Sequence, residues 1–310
     1  MRTAARLSRA IGLSLSLTLS TTALLAAQAP TSYVFVPKKM YRMPTHFGPS
    51  SGPRQGENGK KFANVGFPKS RRLSVRFLTD RAQLAKLLPE GFSVGAEPVV
   101  TVFAEYYSEI EWLAGRGYNV LGVTFPAVFK GKQDNASGDF LLVLWENLTD
   151  PILTGREELG FSKIYADLPE PRVYDGETHV IASWMGFKFL DLTLKNMKSV
   201  PVGGAPPAPA QTNGNLTGLL HYKYIPKTGD WGAADVAYPV ITPSGGGNGV
   251  LKESWRGEGT VEFHKARWED MPTQYMIVNA FAALPIKEYR GATLTRGEGG
   301  KDLSDQRILR

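Results

Sequence analysis

The residue of this sequence best placed to do chemistry is Lys163, which lies in the stretch Gly155-Arg-Glu-Glu-Leu-Gly-Phe-Ser-Lys-Ile-Tyr165. Phe161 and Tyr165 flank it at alternate positions, and Ile164 is its neighbour. Burial withdraws the water that stabilises an ammonium, so a lysine in apolar surroundings offers a free amine, and a free amine attacks carbonyl carbon. The structural alternative is a lysine at a strand end, its stem on apolar surface and its charge in water. Glu105 is the second candidate. It interrupts a run of apolar residues, so its carboxylate either serves a pocket as a general acid or base or pairs with a buried arginine. Arg156 is the third: its fork suits a substrate carboxylate, and it equally suits a surface pair with Glu157 or Glu158.

These groups need elements to hold them. Thr154 or Gly155 can cap a short helical turn, Glu157 and Glu158 suit its first turn, and Gly160 can end it. A short strand carrying Lys163 follows and stops at Pro169-Glu-Pro171. Upstream, Leu73, Val75 and Phe77 alternate as a half-buried strand, and Thr79-Asp80 can cap a helix over 81–88. Further strands are expected at 98–107, 118–129, 139–146, 173–189, 217–226, 236–242, 250–255 and 258–268. So many strands with so few helices predict a large antiparallel sheet, a barrel or a sandwich. Gly245-Gly-Gly-Asn-Gly249 reads as a hairpin turn, and the polar end, 297–310, is expected to fray.

The ends and interruptions read differently. Residues 1–29 have the form of a signal peptide: Arg2, Arg6 and Arg9 precede an apolar stretch from Ala10 to Ala27, with cleavage expected near 27–29. This predicts an exported protein with no membrane segment after cleavage. Removing those three arginines from the formal charge of +7 leaves +4, a mildly basic chain. It has no arginine-rich helix and no basic-aromatic run, which argues against a nucleic-acid partner. There is no cysteine, which excludes disulfides, thiolate metal sites and a cysteine nucleophile. Residues 30–69 are turn-rich yet aromatic, as expected of an ordered, extended segment laid across one domain spanning 30–310. Residues 199–215, rich in proline and glycine, read as a surface insertion in that domain. His46, His179, His221 and His264 share no metal-ligand spacing, and no phosphate loop, dinucleotide fingerprint or Gly-x-Ser-x-Gly elbow is present, so no cofactor is expected.

The stretch from Gly155 to Lys163 resembles the Gly-Arg-Glu…(Pro/Ser)-Lys signature of the acetoacetate decarboxylase family. Other pieces follow in the family's order: Leu73 to Leu88, Gly117-Tyr-Asn119, Gly138-Asp-Phe140, Glu146-Asn147, Met185-Gly-Phe-Lys188 and Leu284-Pro-Ile-Lys-Glu288. The resemblance spans about 65–292. It implies a mainly β (α+β) fold, a cone-shaped closed antiparallel β-barrel with a few flanking helices. It also implies that Lys163 forms a Schiff base with a keto acid and that a carbon–carbon bond is then cleaved by decarboxylation; the desolvated or cation-assisted lysine of that family is a standard example of an activated amine. Of the family's two pocket glutamates, one falls on Glu105 and the other on Val120. The second lysine of the decarboxylases falls on Ile164. A family arginine aligns with Ser70, beside Arg71 and Arg72, which stand as candidates for its role. Arg156, Tyr118 and Phe161 complete the expected substrate-binding set. The expected partner is a small keto acid, in a homo-oligomer. Two alternatives stay open: a Schiff-base aldolase-dehydratase acting on pyruvate-type acids, and a non-catalytic β-barrel that binds a small ligand.

Overall fold

Alternation of apolar and polar residues, with valine, phenylalanine and tyrosine frequent, drives most of this chain into strands. The computed structural model describes residues 32–202 and 215–310. The proposed leader lies outside the described residues, as does most of the Pro/Gly-rich insertion. The first strands are β1 (Lys69–Leu78), β2 (Phe92–Val94), β3 (Val99–Ile110), β4 (Arg116–Lys130), β5 (Asn135–Glu146) and the short β6 (Lys163–Tyr165). Then come β7 (Arg172–Tyr174), β8 (Glu177–Trp184), β9 (Phe187–Val200), β10 (Asn215–Pro226) and β11 (Ala234–Pro243). The last are β12 (Val250–Phe263), β13 (Glu288–Glu298) and β14 (Arg307–Ile308). Among the described residues three short α-helices accompany them: α1 (Arg81–Ala85), α2 (Thr149–Leu153) and α3 (Tyr275–Ala282). The protein is therefore mainly β with few helices.

All strands join one sheet in the order β14-β11-β10-β5-β4-β3-β1-β13-β12-β9-β8-β7, with β2 beside β4 and β6 beside β5. The expected closed antiparallel barrel is corrected on two counts. Among the described residues the end strands β14 and β7 do not pair, so hydrogen bonds do not close the sheet. The sheet is also mixed, because β6 and β10 both run parallel to β5. Parallel neighbours need a crossover rather than a hairpin, and for β5 and β6 that crossover is α2 with the turn after it.

Period-two alternation gives the sheet two faces. Leu73, Val75 and Phe77 of β1 point into the main core with Leu121, Val123 and Phe125 of β4, all nearly inaccessible to solvent. Trp145 of β5 anchors that side: its ring lies 5.1 Å from Phe189 and 6.1 Å from Phe281 of α3, and its indole N–H donates to Gln274 at 2.8 Å. The opposite face of β1, β3, β4 and β5 carries the polar residues of the site.

Several elements differ from expectation for local reasons. Asp80 does cap α1, accepting from the Gln83 amide at 3.0 Å, but the helix ends at Ala85. The single strand expected at 173–189 is three strands, and β8 reverses into β9 through Met185 and Gly186, both at positive φ. A two-residue reversal of this kind suits a hairpin, and a methionine in it hides the signal. The two strands expected between 250 and 268 are one, β12, with a register shift between Arg256 and Glu258. The glycine run at 245–249 is not a hairpin, since it joins β11 to β12, which do not pair. The chain end is tied down rather than frayed: β14 pairs with β11, and Leu309 is buried with its amide bonded to the Pro239 carbonyl.

Candidate active site

Register across four strands assembles a single row of side chains. Arg72 of β1 lies opposite Glu105 of β3, Glu105 opposite Val120 of β4, and Val120 opposite Glu146 of β5. Directly opposed residues share a face of the sheet, so two carboxylates and an arginine face the same way with a valine between them. Tyr107 and Tyr118, the next opposed pair on that face, bring their rings to 5.3 Å. Lys163 joins from β6, where it stands opposite Leu144, two residues before Glu146 on the same face.

The crossover aims that lysine. The helix begins at Thr149, without a side-chain cap, so Thr154 and Gly155 do not cap it as the residue types suggested. Instead α2 runs directly into a π-helical turn, Thr154–Leu159, which ends at Gly160 with φ of 77°. That left-handed value favours glycine, and a Cβ at Gly160 would also lie 2.5 Å from the Cβ of Lys223. The Phe161 amide bonds back to the Gly155 carbonyl at 2.9 Å, and the Ser162 carbonyl accepts from the Leu144 amide at 3.0 Å. Arg42 and Arg54 of the N-terminal segment grip the turn through Glu158, at 3.2 and 2.6 Å. Lys223 donates to the Glu157 and Glu158 carbonyls. Such partners satisfy carbonyls that a helix end leaves open.

Lys163 does not reach out to bulk water. The residue is 7% exposed, and its ammonium lies 2.8 Å from Glu146 Oε1 and donates to the Pro151 carbonyl at 3.1 Å. The rings of Tyr118 and Phe161 both stand 5.9 Å from Nζ. The surroundings expected to be apolar therefore include a carboxylate. Glu146 is 1% exposed, and its Oε2 has no hydrogen-bond partner among the described residues. Burial raises its pKa above the ordinary carboxylate value, and the Lys163 charge works against that rise. Burial likewise lifts the Tyr107 and Tyr118 phenols well above 10, helped at Tyr107 by Glu105 and at Tyr118 by Glu146 and then Glu105. Both stay neutral hydroxyls at physiological pH.

A cavity of about 260 Å³ opens over this group, lined by Arg72, Glu105, Tyr107, Tyr118, Glu146 and Lys163 among others. Leu141, Phe161, Leu144, Leu219 and Leu303 form an apolar floor. Arg72 donates to Glu105 at 2.9 Å, with its guanidinium 3.5 Å from the Phe103 ring centre, so Glu105 is both on the cavity wall and paired with an arginine. Of the other candidates, Tyr118 and Phe161 line the cavity and Arg71 and Arg156 do not. Arg71 is one residue from Arg72 and so points to the other face, where it covers the Tyr106 ring and meets Glu170. Arg156 is exposed and donates to the Lys163 backbone carbonyl at 2.9 Å. Among the described residues Arg156 forms no ion pair with Glu157 or Glu158, and its bond to that carbonyl fixes the strand that carries Lys163.

Two site residues, Glu146 and Tyr107, escaped sequence reasoning. Glu146 entered only as half of a Glu-Asn pair, although a carboxylate ending the apolar run Phe140–Trp145 is itself a signal of burial. Glu146 stands opposite Val120, one strand further along the same row. Ile164 alternates away from Lys163 and packs against the main core.

Behind the turn, His221 is fully buried, and its Nδ1–H donates to the Gly160 carbonyl at 3.0 Å. Burial lowers its pKa from 6.5 to about 4, against the pull of that bond. The unfolded chain therefore takes up the proton first. Stability is complete above pH 6.5 and falls as pH drops towards 4, by about 3 kcal/mol in all. Thermal unfolding of His221→Gln across that range is expected to lack this component, and an identical pH slope in both proteins would exclude it.

The mainly β sheet that carries the Lys163–Glu146 pair, with its few short helices, has the fold of acetoacetate decarboxylase-like proteins. The chain belongs to the acetoacetate decarboxylase family, whose model matches residues 42–299. An acetoacetate decarboxylase-like enzyme from Sphingomonas wittichii is similar in structure, with a TM-score of 0.56 and 18% identity, covering 78% of this chain and 91% of that one. Acetoacetate decarboxylase from Legionella pneumophila gives 0.55 and 18%, covering 79% and 88%. The enduracididine biosynthesis enzyme MppR, in complex with pyruvate, gives 0.55 and 16%, covering 82% and 95%. At these identities the likeness is one of fold. A search of curated proteins finds no match to the sequence.

Proposed function

We propose that this protein is a carbon–carbon lyase in which Lys163 forms an imine with a keto acid that then loses carbon dioxide. The observation that supports this reading is the pair itself: a buried amine 2.8 Å from a carboxylate whose second oxygen has no partner among the described residues. Glu146 can take the ammonium proton. Nζ then bonds to the ketone carbon, the carbonyl oxygen gains a proton, and loss of water leaves an iminium. The bond from the neighbouring carbon to the carboxylate breaks, and its electron pair moves to the iminium nitrogen. Carbon dioxide leaves, and an enamine remains. Protonation of the enamine carbon from the Glu105 side restores the iminium, and water hydrolyses it to a ketone and free Lys163. Arg72 is the cation on the wall, other than Lys163, for the substrate carboxylate.

Borohydride added with acetoacetate or pyruvate is expected to leave a mass adduct on the Lys163 peptide; no adduct with any keto acid offered sinks the reading. The same imine and enamine serve aldol addition and dehydration, and the products formed from pyruvate with an aldehyde distinguish that chemistry. A non-catalytic binder is the reading suggested by Ile164 and Val120, which stand where the family has charged residues. Unchanged ligand binding by Lys163→Ala, with no turnover in the native protein, supports that alternative.

A further inference from the structure

Lys163 stands at the junction of two cavities. Besides the charged one over Arg72 and Glu105, a second of about 300 Å³ also borders the amine, without Arg72, Glu105 or Glu146 on its walls. The two share Tyr107, Tyr118, Phe161, Lys163 and Leu303. The second chamber is lined by both terminal parts of the described chain, with Pro53 and Pro68 from the N-terminal segment and residues 299–303 from the C-terminal one. Its walls are largely apolar: Ile110, Trp112, Pro151 and Leu159 line it along with Leu303. The three charged residues besides Lys163 on those walls are engaged elsewhere. Glu111 accepts from the Asn64 amide at 3.1 Å, Asp302 binds Lys61 at 2.8 Å, and Lys301 binds the Gly245 carbonyl at 3.0 Å and Asp305 at 2.9 Å.

An imine carbon carries two substituents besides nitrogen, and they diverge. With Nζ at the junction, the arm bearing the carboxylate suits the chamber with Arg72, and the other arm enters the apolar chamber. A methyl group, all that acetoacetate offers there, leaves most of about 300 Å³ unfilled. We infer that the substrate is a keto acid whose carbonyl bears an apolar chain longer than methyl, seated between Trp112, Ile110 and Leu159. This rests on the proposed imine at Lys163.

Burial of each methylene strengthens binding about fourfold. The test is borohydride trapping on the full chain with acetoacetate, 3-oxohexanoate and 3-oxooctanoate, reading the concentration that half-saturates the Lys163 adduct. That concentration is expected to fall about fourfold per added methylene. Gly300→Leu is the companion variant. A Cβ at Gly300 meets nothing closer than Pro68 Cδ at 3.9 Å, so a side chain is accommodated on the chamber wall. This variant is expected to lose the gradient with chain length. Equal half-saturation by all three acids in the native protein overturns the inference and leaves the imine intact. A gradient that survives in Gly300→Leu also overturns it, because the chain is then held elsewhere. Absence of any adduct removes the imine itself and the inference with it.

Discussion

Lys163→Met is expected to abolish keto-acid turnover and, separately, to make stability depend on pH in a way the native protein's does not. The first effect follows from the proposed imine at Lys163: removing a group that carries a covalent step lowers turnover by on the order of ten-thousandfold or more. The second follows from Glu146. Breaking a buried ion pair at one partner costs about 3–5 kcal/mol, because the other charge stays buried without compensation. Glu146 is 1% exposed, and its pKa is already raised by burial, with Lys163 the opposing influence. Without Lys163 that rise is unopposed. A carboxyl whose folded pKa lies above its unfolded value keeps its stability below the unfolded value and loses it as pH climbs through the folded one. The difference in unfolding free energy between native and variant is therefore expected to be largest at neutral and alkaline pH and to shrink as Glu146 takes up a proton. Taking the difference at each pH cancels the His221 contribution, which both proteins share. Denaturant unfolding from pH 5 to 8 measures it. A constant difference across that range would mean that Glu146 does not carry the buried charge.

Gly155→Ala is expected to disable the site while leaving the fold in place. No left-handed φ constrains Gly155, so alanine fits its backbone. Space is the obstacle: a Cβ there would sit 2.2 Å from Lys163 Cδ and 2.5 Å from Cε. The lysine stem must swing away from Glu146, and Phe161, whose amide bonds to the Gly155 carbonyl, limits how far the turn can give. Overpacking of this kind costs about 1–3 kcal/mol. Displacing a reacting atom by about an ångström costs about a hundredfold in rate. The expected outcome is a modest fall in melting temperature with a large fall in the rate of borohydride-trapped adduct. Native trapping rates in Gly155→Ala would show that the lysine works from another rotamer.

The elements that read clearly in the sequence are those whose signals are local. β1, β3, β4 and β5 follow from alternation, the Asp80 cap from its residue type, and Lys163 from its neighbours. α3 and β13 gave no comparable pattern. Tyr275–Ala282 is apolar over most of its length, so periodicity could not distinguish helix from strand there, and β13 is interrupted by Arg290, Arg296 and the weak strand formers Gly291 and Gly297. Arg71 and Arg72 show the limit most simply. Composition could not separate them, and the pleat did, by sending one to Glu170 and the other to Glu105.

From residue order alone came the mainly β class, the nucleophile candidate and Glu105 as a second candidate, because side-chain type and period two are properties of neighbouring residues. The tertiary structure alone decided that Glu146 is the partner of Lys163. That contact depends on β6 lying parallel to β5 with Lys163 opposite Leu144, and on a π-helical turn between them. Parallel register is set by the crossover and by packing on both faces, and no run of adjacent residues encodes it. The open ends of the sheet were decided in the same way, by which strands meet after all the connections have been made.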